Sequence, residues 1–305
     1  MSSEARRDPG PGVAEDSGAG LLRPEFIRRL ARLRVLARRR FAGTAGGARR
    51  STRRGSSAEF ADHRPYYPGD DTRRIDWNAY ARLEELVLRL YVAEEDLCLY
   101  LFVDSSRSMG VGTPSKLHVA KRIAAALGYV ALTGSERVSV VPFGAGIRRP
   151  LPPVRGKGKV GALLRHLDAL EPDGATDLDQ AVGEFLARRP RPGVVAVISD
   201  LLDPGGYQRP LERLGSARHE PAVFHVLDGA EVNPEAGGDL VLVDSESGSR
   251  VDVSLDARAI RAYRGRLTAF LEGAESWAKR RGVSYVRLFG EAAFEEALLE
   301  YLRGA

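Results

Sequence analysis

Residues 97–110 read LCLYLFVDSSRSMG, an apolar run followed at once by aspartate, serines and glycine. The run at 97–103 predicts a fully buried strand, because a short apolar stretch bounded by turn residues is typical of parallel sheets. A polar segment at the carboxyl end of such a strand lies where open α/β sheets bind their ligands. This stretch therefore indicates both the fold class and the place to look for a site.

The rest of the chain alternates between predicted helices and strands. The main helices are expected at 116–132, 160–170, 178–187 and 256–279, and further strands at 138–143, 194–198, 222–227 and 285–288. Such alternation requires crossover connections, so the sequence predicts an open, mostly parallel, Rossmann-like α/β sheet with helices on both faces. Two short alternating runs around 245–249 predict an accessory β-hairpin, inserted at 239–254.

Composition indicates a folded chain in a reducing compartment. The 305 residues are 43% hydrophobic, and a single cysteine, Cys98, excludes an internal disulfide and a clustered thiolate metal site. The longest apolar stretches fall short of the ~18 residues that a membrane span needs. We therefore expect a cytoplasmic protein with no membrane span.

The positive charge is concentrated in one segment. The chain carries a net charge of +5, whereas residues 23–54 hold twelve arginines and one acid and residues from 55 onward are mildly acidic. A basic arm of this kind suits nucleic acid or anionic lipid. Docking on an acidic partner is favoured at least as much, because the arm lacks interleaved aromatic residues, and for the whole chain nucleic acid is not the expected partner. The arm is polar, so we expect the fold to survive removal of residues 1–54.

These patterns divide the chain into four segments. They are a disordered tail (1–22), a basic helix and linker (23–57), a stretch leading into the sheet (58–95), and the sheet domain with its hairpin (96–305). In the third segment, residues 59–77 read EFADHRPYYPGDDTRRIDW. The proline, glycine and aspartate content argues against regular structure there, and the aromatic residues favour an irregular wrap whose rings pack on a surface.

Three predicted loops bring oxygen-bearing side chains to one edge of the sheet. The expected metal ligands are Asp104, Ser106, Ser108, Thr176 and Asp200. Two carboxylates with hydroxyls and waters suit a small hard cation, Mg²⁺ or Mn²⁺. Each loop taken alone also fits an ordinary turn or helix cap. The three together, in order at strand ends, favour the metal site.

The spacing Asp104-x-Ser106-x-Ser108, with Thr176 and Asp200, resembles the metal-ion-dependent adhesion site of von Willebrand factor type A domains. The block at 59–77 resembles the signature of the bacterial family called domain of unknown function 58. This resemblance covers about four-fifths of the chain and implies a von Willebrand A-like fold. It also implies association with MoxR-type AAA+ ATPases.

No catalytic residue is predicted. The segment 110–116, GVGTPSK, lacks the glycine that a phosphate-binding loop needs before its lysine. We therefore expect a non-enzymatic module that binds an acidic residue of a client protein through the metal, as adaptor of a MoxR-type ATPase in assembling or activating a complex. The alternative is a metal-dependent phosphohydrolase that uses the same cluster. The three loops contain no His or Lys to act as a general base, which argues against it.

Overall fold

The computed structural model describes residues 20–32, 58–93, 98–234, 238–246, 248–290 and 294–303. The chain forms two compact units: residues 1–41 with 97–305, and residues 42–96. The first unit contains the sheet and the candidate site.

The part of the chain that the structure describes contains ten strands and nine α-helices. The strands are β1 (Ala58–Pro65), β2 (Val87–Ala93), β3 (Cys98–Asp104), β4 (Arg137–Phe143), β5 (Leu151–Arg155), β6 (Val194–Ser199), β7 (Glu220–Leu227), β8 (Gly238–Val243), β9 (Arg250–Leu255) and β10 (Ser284–Phe289). The helices are α1 (residues 24–32), α2 (Trp77–Leu83), α3 (Lys116–Thr133), α4 (Val160–Asp168), α5 (Leu178–Ala187), α6 (Gln208–Ser216), α7 (Gly229–Val232), α8 (Ala257–Arg281) and α9 (Phe294–Arg303).

Six strands form the central sheet in the order β10-β7-β6-β3-β4-β5. All neighbouring strands pair in parallel except β4 and β5, which are antiparallel. The predicted open, mostly parallel α/β sheet is thus confirmed. Because β3 and β6 are neighbours in parallel register, their carboxyl ends lie side by side. The polar residues that follow both strands are therefore brought together.

Apolar side chains cover both faces of the sheet. Alternate residues of β3 point to opposite faces: Leu99 and Leu101 join a core with α3, α4 and α9, while Tyr100 and Phe102 join a core with α5, α6 and α8. Every residue of β3 is buried, as expected for a strand covered on both sides. This packing fixes the strand end that carries the candidate site.

The amino-terminal helix α1 packs into the core of the first unit. Leu22, Phe26 and Leu30 are buried, and the ring of Phe26 lies 5.4 Å from that of Phe294 in an edge-to-face contact. The premise that the arm is polar and lies outside the core is therefore wrong for α1. Alternating arginines and apolar residues give α1 a buried face as well as a charged one, so removing residues 1–54 would strip apolar side chains from the core.

The accessory hairpin is present and belongs to the first unit. Strands β8 and β9 pair antiparallel, from Gly238 opposite Leu255 to Val243 opposite Arg250. Val241 and Val243 are more than half exposed. Part of β8 is therefore open to solvent.

The second unit contains more regular structure than its sequence predicts. Strand β1 pairs antiparallel with β2, and α2 begins at Trp77 with the Asp76 side chain as its amino-terminal cap. The prediction that residues 59–77 form an irregular wrap is wrong, because its first part is a paired strand. Tyr67 and Trp77 are 62% and 61% exposed, so their rings are not packed as expected.

Candidate metal centre

Asp104 is the last residue of β3 and is 1% exposed. Its Oδ2 accepts a hydrogen bond from the Ser199 hydroxyl at 2.7 Å, and its Oδ1 accepts one from the Ser106 amide at 2.9 Å. Burial, and then the nearby charge of Asp200, raises the pKa of Asp104 to about 6. Both donors are neutral, so this carboxylate is held by hydrogen bonds and not by an ion pair.

Two serine hydroxyls connect the loop after β3 with the loop after β6. The oxygens of Ser106 and Ser108 lie 3.1 Å apart, and the Ser108 hydroxyl donates to Oδ2 of Asp200 at 3.0 Å. Ser106 itself is fully buried. Three of the predicted ligands thus form a continuous chain of polar contacts at the sheet edge.

Asp200 forms a buried ion pair with Lys116, the first residue of α3. The Lys116 Nζ donates to Asp200 Oδ2 at 2.8 Å and to Glu231 Oε1 at 2.5 Å, and the lysine side chain is 2% exposed. Burial opposes its charge, but the two carboxylates outweigh burial and raise the pKa of Lys116. The ammonium is therefore charged at neutral pH and neutralises part of the negative charge of the site.

A buried histidine supports the backbone of Asp200 from β7. The His225 Nε2 lies 2.9 Å from the carbonyl oxygen of Asp200, so it donates there, and Nδ1 then accepts from the Tyr285 hydroxyl at 2.6 Å. Burial lowers the pKa of His225 to about 4. The ring is therefore neutral at pH 7, and both of its nitrogens are engaged.

Thr176 lies in a loop that is tied to the loop after β3 by backbone hydrogen bonds. The Arg107 amide donates to the Gly174 carbonyl at 2.9 Å, and the Asp173 amide donates to the Ser105 carbonyl at 2.9 Å. Thr176 is 9% exposed, and its Oγ1 is buried with no hydrogen-bond partner among the described residues. The structure thus anchors the threonine loop beside the serine loop and leaves the hydroxyl unsatisfied.

The donor set fits a hard divalent cation that keeps several waters. Within the described ranges there is no group of three or more His, Cys, Asp or Glu side chains that could hold a metal. A site here must therefore rely on the Asp104 and Asp200 carboxylates together with hydroxyl oxygens, which are ligands that Mg²⁺ and Mn²⁺ accept. The unsatisfied Thr176 hydroxyl is the feature that such an ion would explain.

Sequence reasoning missed Lys116, Glu231, Ser199 and His225. A signal for Lys116 was present: it precedes Val119, Ala120 and Ile123 at the spacing of one helical face, and those three residues are buried. A lysine on a buried face needs an anionic partner. The partner Glu231 gave no comparable signal, because it lies in the short helix α7 far along the chain.

A protein-family model described as "Protein of unknown function DUF58" matches residues 62–270. The chain belongs to this family, which confirms the predicted resemblance. An uncharacterized protein of Mycobacterium bovis and one of Mycobacterium tuberculosis are each 32% identical to it over 264 residues, covering 82% of both chains.

Solved structures with a similar fold include an aerotolerance-related membrane protein of Bacteroides fragilis, with a TM-score of 0.44 and 18% identity, covering 68% of this chain and all of that one. A von Willebrand factor type A protein of Catenulispora acidiphila has a TM-score of 0.40 and 14% identity, covering 70% of this chain and 43% of that one. In the described part of the present chain, no helix is both long and apolar enough to cross a membrane.

Proposed function

We propose that this chain is a protein-interaction module that binds an acidic side chain of a partner at the carboxyl edge of its sheet. Asp104 and Asp200 provide the negative charge for a divalent cation, Mg²⁺ or Mn²⁺, and Ser106, Ser108 and Thr176 provide neutral oxygens. Such a cation supplies an open coordination position for a partner's carboxylate oxygen. The chain's own side chains hold and orient the site without reacting.

The observation that carries this proposal is the buried Thr176 Oγ1 without a hydrogen-bond partner among the described residues. Leaving a buried hydroxyl unsatisfied costs about 1–3 kcal/mol, so such groups are uncommon in folded proteins. A role as a metal ligand would give the hydroxyl oxygen a partner that no described residue provides.

The basic groups next to the site support binding over hydrolysis. Lys116 is held as an ammonium by two carboxylates, and His225 uses both ring nitrogens in buried contacts. Neither is placed to remove a proton from a water molecule. The phosphohydrolase alternative therefore has no base among these two residues.

The partner pathway rests on the family resemblance. We propose a MoxR-type AAA+ ATPase as the partner, and as client a protein that presents an acidic residue, with this chain as the adaptor. The single cysteine favours a reducing compartment, and on that basis we propose the cytoplasm.

The test begins with the metal alone. Calorimetric titration of Mn²⁺ into the full chain should give binding heat that Asp104→Ala abolishes. Asp173→Ala should retain this heat, because it removes a carboxylate that is 74% exposed at a neighbouring loop. Identical heats for the wild type and Asp104→Ala would overturn the metal site.

The second stage separates binding from catalysis. A pull-down with the cognate MoxR-type ATPase should fail in the presence of a chelator and should weaken for Thr176→Ala, while a parallel phosphatase assay shows no metal-dependent turnover. Capture that persists without metal would overturn the proposed mechanism. Metal-dependent turnover that Asp104→Ala abolishes would favour the hydrolase instead.

A further inference from the structure

The tip of the accessory hairpin touches the threonine loop of the candidate metal centre. Oε2 of Glu246 accepts a hydrogen bond from the backbone amide of Thr176 at 3.1 Å, across 70 positions of the sequence. Both residues belong to the first unit, and Glu246 is half-buried. An acidic side chain of this chain thus already lies against the loop that carries a proposed ligand.

The hairpin turn holds Glu246 in place through its own hydrogen bonds. The Asp244 amide donates to the Ser249 carbonyl at 2.8 Å, and the Gly248 amide donates to the Asp244 carbonyl at 2.9 Å. The Glu246 amide donates to Asp244 Oδ1 at 2.9 Å. These bonds hold the backbone from which the Glu246 side chain reaches the Thr176 amide.

The contact lies beside the unsatisfied hydroxyl. Only three covalent bonds separate the amide nitrogen of a threonine from its Oγ1, so a carboxylate bound to the Thr176 amide is a near neighbour of that side chain. Thr176 is 9% exposed and its Oγ1 has no partner among the described residues. A backbone N–H that donates a hydrogen bond to a carboxylate next to a proposed metal ligand is an anchoring point for an acid.

We propose that Glu246 is an internal acidic ligand: in the free protein it occupies the Thr176 amide that the carboxylate of a partner must use. This inference rests on the proposed function, because it assigns the competitor for the same site. A partner's acid then binds only after Glu246 has been displaced. The hairpin thereby selects for partners that also engage the hairpin.

The exposed face of the hairpin defines the chemistry of such a partner. Val241 and Val243 lie on the same face of β8 and are 56% and 55% exposed. A partner that covers these valines contacts the strand directly before the tip that carries Glu246. We therefore expect the captured acidic residue to be flanked by apolar side chains.

Acetate binding to the Mn²⁺-loaded full chain tests the inference with a defined probe. Acetate that coordinates the bound Mn²⁺ replaces a water, which lowers the water-proton relaxation rate and yields an affinity. Glu246→Gln should bind acetate about fivefold to tenfold more tightly than the wild type, because the amide of Thr176 is freed from a charged competitor. Asp252→Asn, with the same charge change on β9 of the same hairpin, should stay within about twofold.

The possible results separate this inference from the proposed function. The metal centre stands if the wild type, Glu246→Gln and Asp252→Asn all bind Mn²⁺ and Asp104→Ala does not. If acetate affinity is then equal for Glu246→Gln and Asp252→Asn, the role of Glu246 is refuted. If Asp104→Ala responds to Mn²⁺ like the wild type, the metal centre fails and the inference fails with it. A thermal melt of each variant within a few degrees of the wild type verifies folding.

Discussion

Asp104 and Asp200 follow neighbouring strands and are equally buried, but the protein compensates their charges in opposite ways. Asp104 receives hydrogen bonds from a serine hydroxyl and a backbone amide, and its pKa is raised to about 6. Asp200 is paired with the buried ammonium of Lys116 at 2.8 Å. Two carboxylates that are buried alike are therefore stabilised differently, one by neutral hydrogen-bond donors and the other by an ammonium.

The comparison gives each carboxylate its own role. The charge of Asp200 is partly balanced by Lys116, so Asp200 also organises the site and links α3 to the end of β6. Asp104 carries the charge that remains without a balancing cation among its described contacts. We therefore expect Asp104 to depend most on an external cation and Asp200 to matter most for stability.

The largest effect is expected for Lys116→Met. This change leaves the buried Asp200 without its cation and should reduce the free energy of unfolding by about 3–5 kcal/mol, measured by urea denaturation at pH 7.5. Lys121→Met, five residues further along α3, removes a lysine whose hydrogen bond is to the Asp168 carbonyl, and should cost less than about 1 kcal/mol. Similar losses for both would contradict the ion pair's role.

A direct comparison of the two carboxylates is the next test. Asp200→Asn should cost about 2 kcal/mol, because it removes one of the two anionic partners of Lys116. Asp104→Asn should cost under about 1 kcal/mol, because it removes a charge that burial already disfavours. The measurement is the unfolding free energy of each variant at pH 7.5. Equal costs would contradict a larger role of Asp200 than of Asp104 in stability.

The pH dependence of Asp104 has a definite sign. Its pKa is higher in the folded protein, about 6, than its ordinary value of 3.8. The folded state thus binds more protons between these values, and the contribution of this group to stability rises as the pH falls from about 6 to 4. Relative to Asp104→Asn, the wild type should become more stable over this interval in urea titrations at successive pH values. A difference that stays flat would contradict the raised pKa.

At the third loop the expected effect is a small gain in stability. Thr176→Val keeps the shape of the side chain and removes a buried hydroxyl that has no partner among the described residues, so without metal the free energy of unfolding should rise by about 1 kcal/mol. Mn²⁺ affinity should nevertheless fall, whereas Thr176→Ser should preserve it. A large loss of stability for the valine variant would show that the hydroxyl serves the fold.

The apolar pattern predicted the sheet well because buried parallel strands and their covering helices leave long, clear signals. The edge strand β5 was missed, since Pro152 and Pro153 argue against a strand. Proline is tolerated at an edge, where a missing backbone donor faces no partner. β1 was missed for the same reason, because the prolines and glycine at 59–77 predicted irregular structure.

The five candidate ligands could be selected from the sequence because each follows or lies between predicted elements at one sheet edge. The sequence did not show how their charges are balanced. Lys116 meets Asp200 across 84 positions and Glu231 across 115, and such pairings depend on how α3 and α7 pack against the sheet. The burial of α1 was missed because its many arginines led to the expectation of a polar arm. Phe26 and Leu30, four positions apart on one helix face, were the signal against that expectation.

The order of the strands has a consequence for how this protein is made. Asp104 bonds to Ser199 across 95 positions, so a chain emerging from the ribosome completes β3, β4 and α3 well before the strand that brings Asp200. Until β6 docks between β3 and β7, Lys116 has no anionic partner on that strand, and the three loops do not meet. Such distant pairing forms late in folding. A partner that recognises this sheet edge therefore binds only chains in which β6 has been made and has joined the sheet. The ability to bind then indicates that this stage of folding is complete.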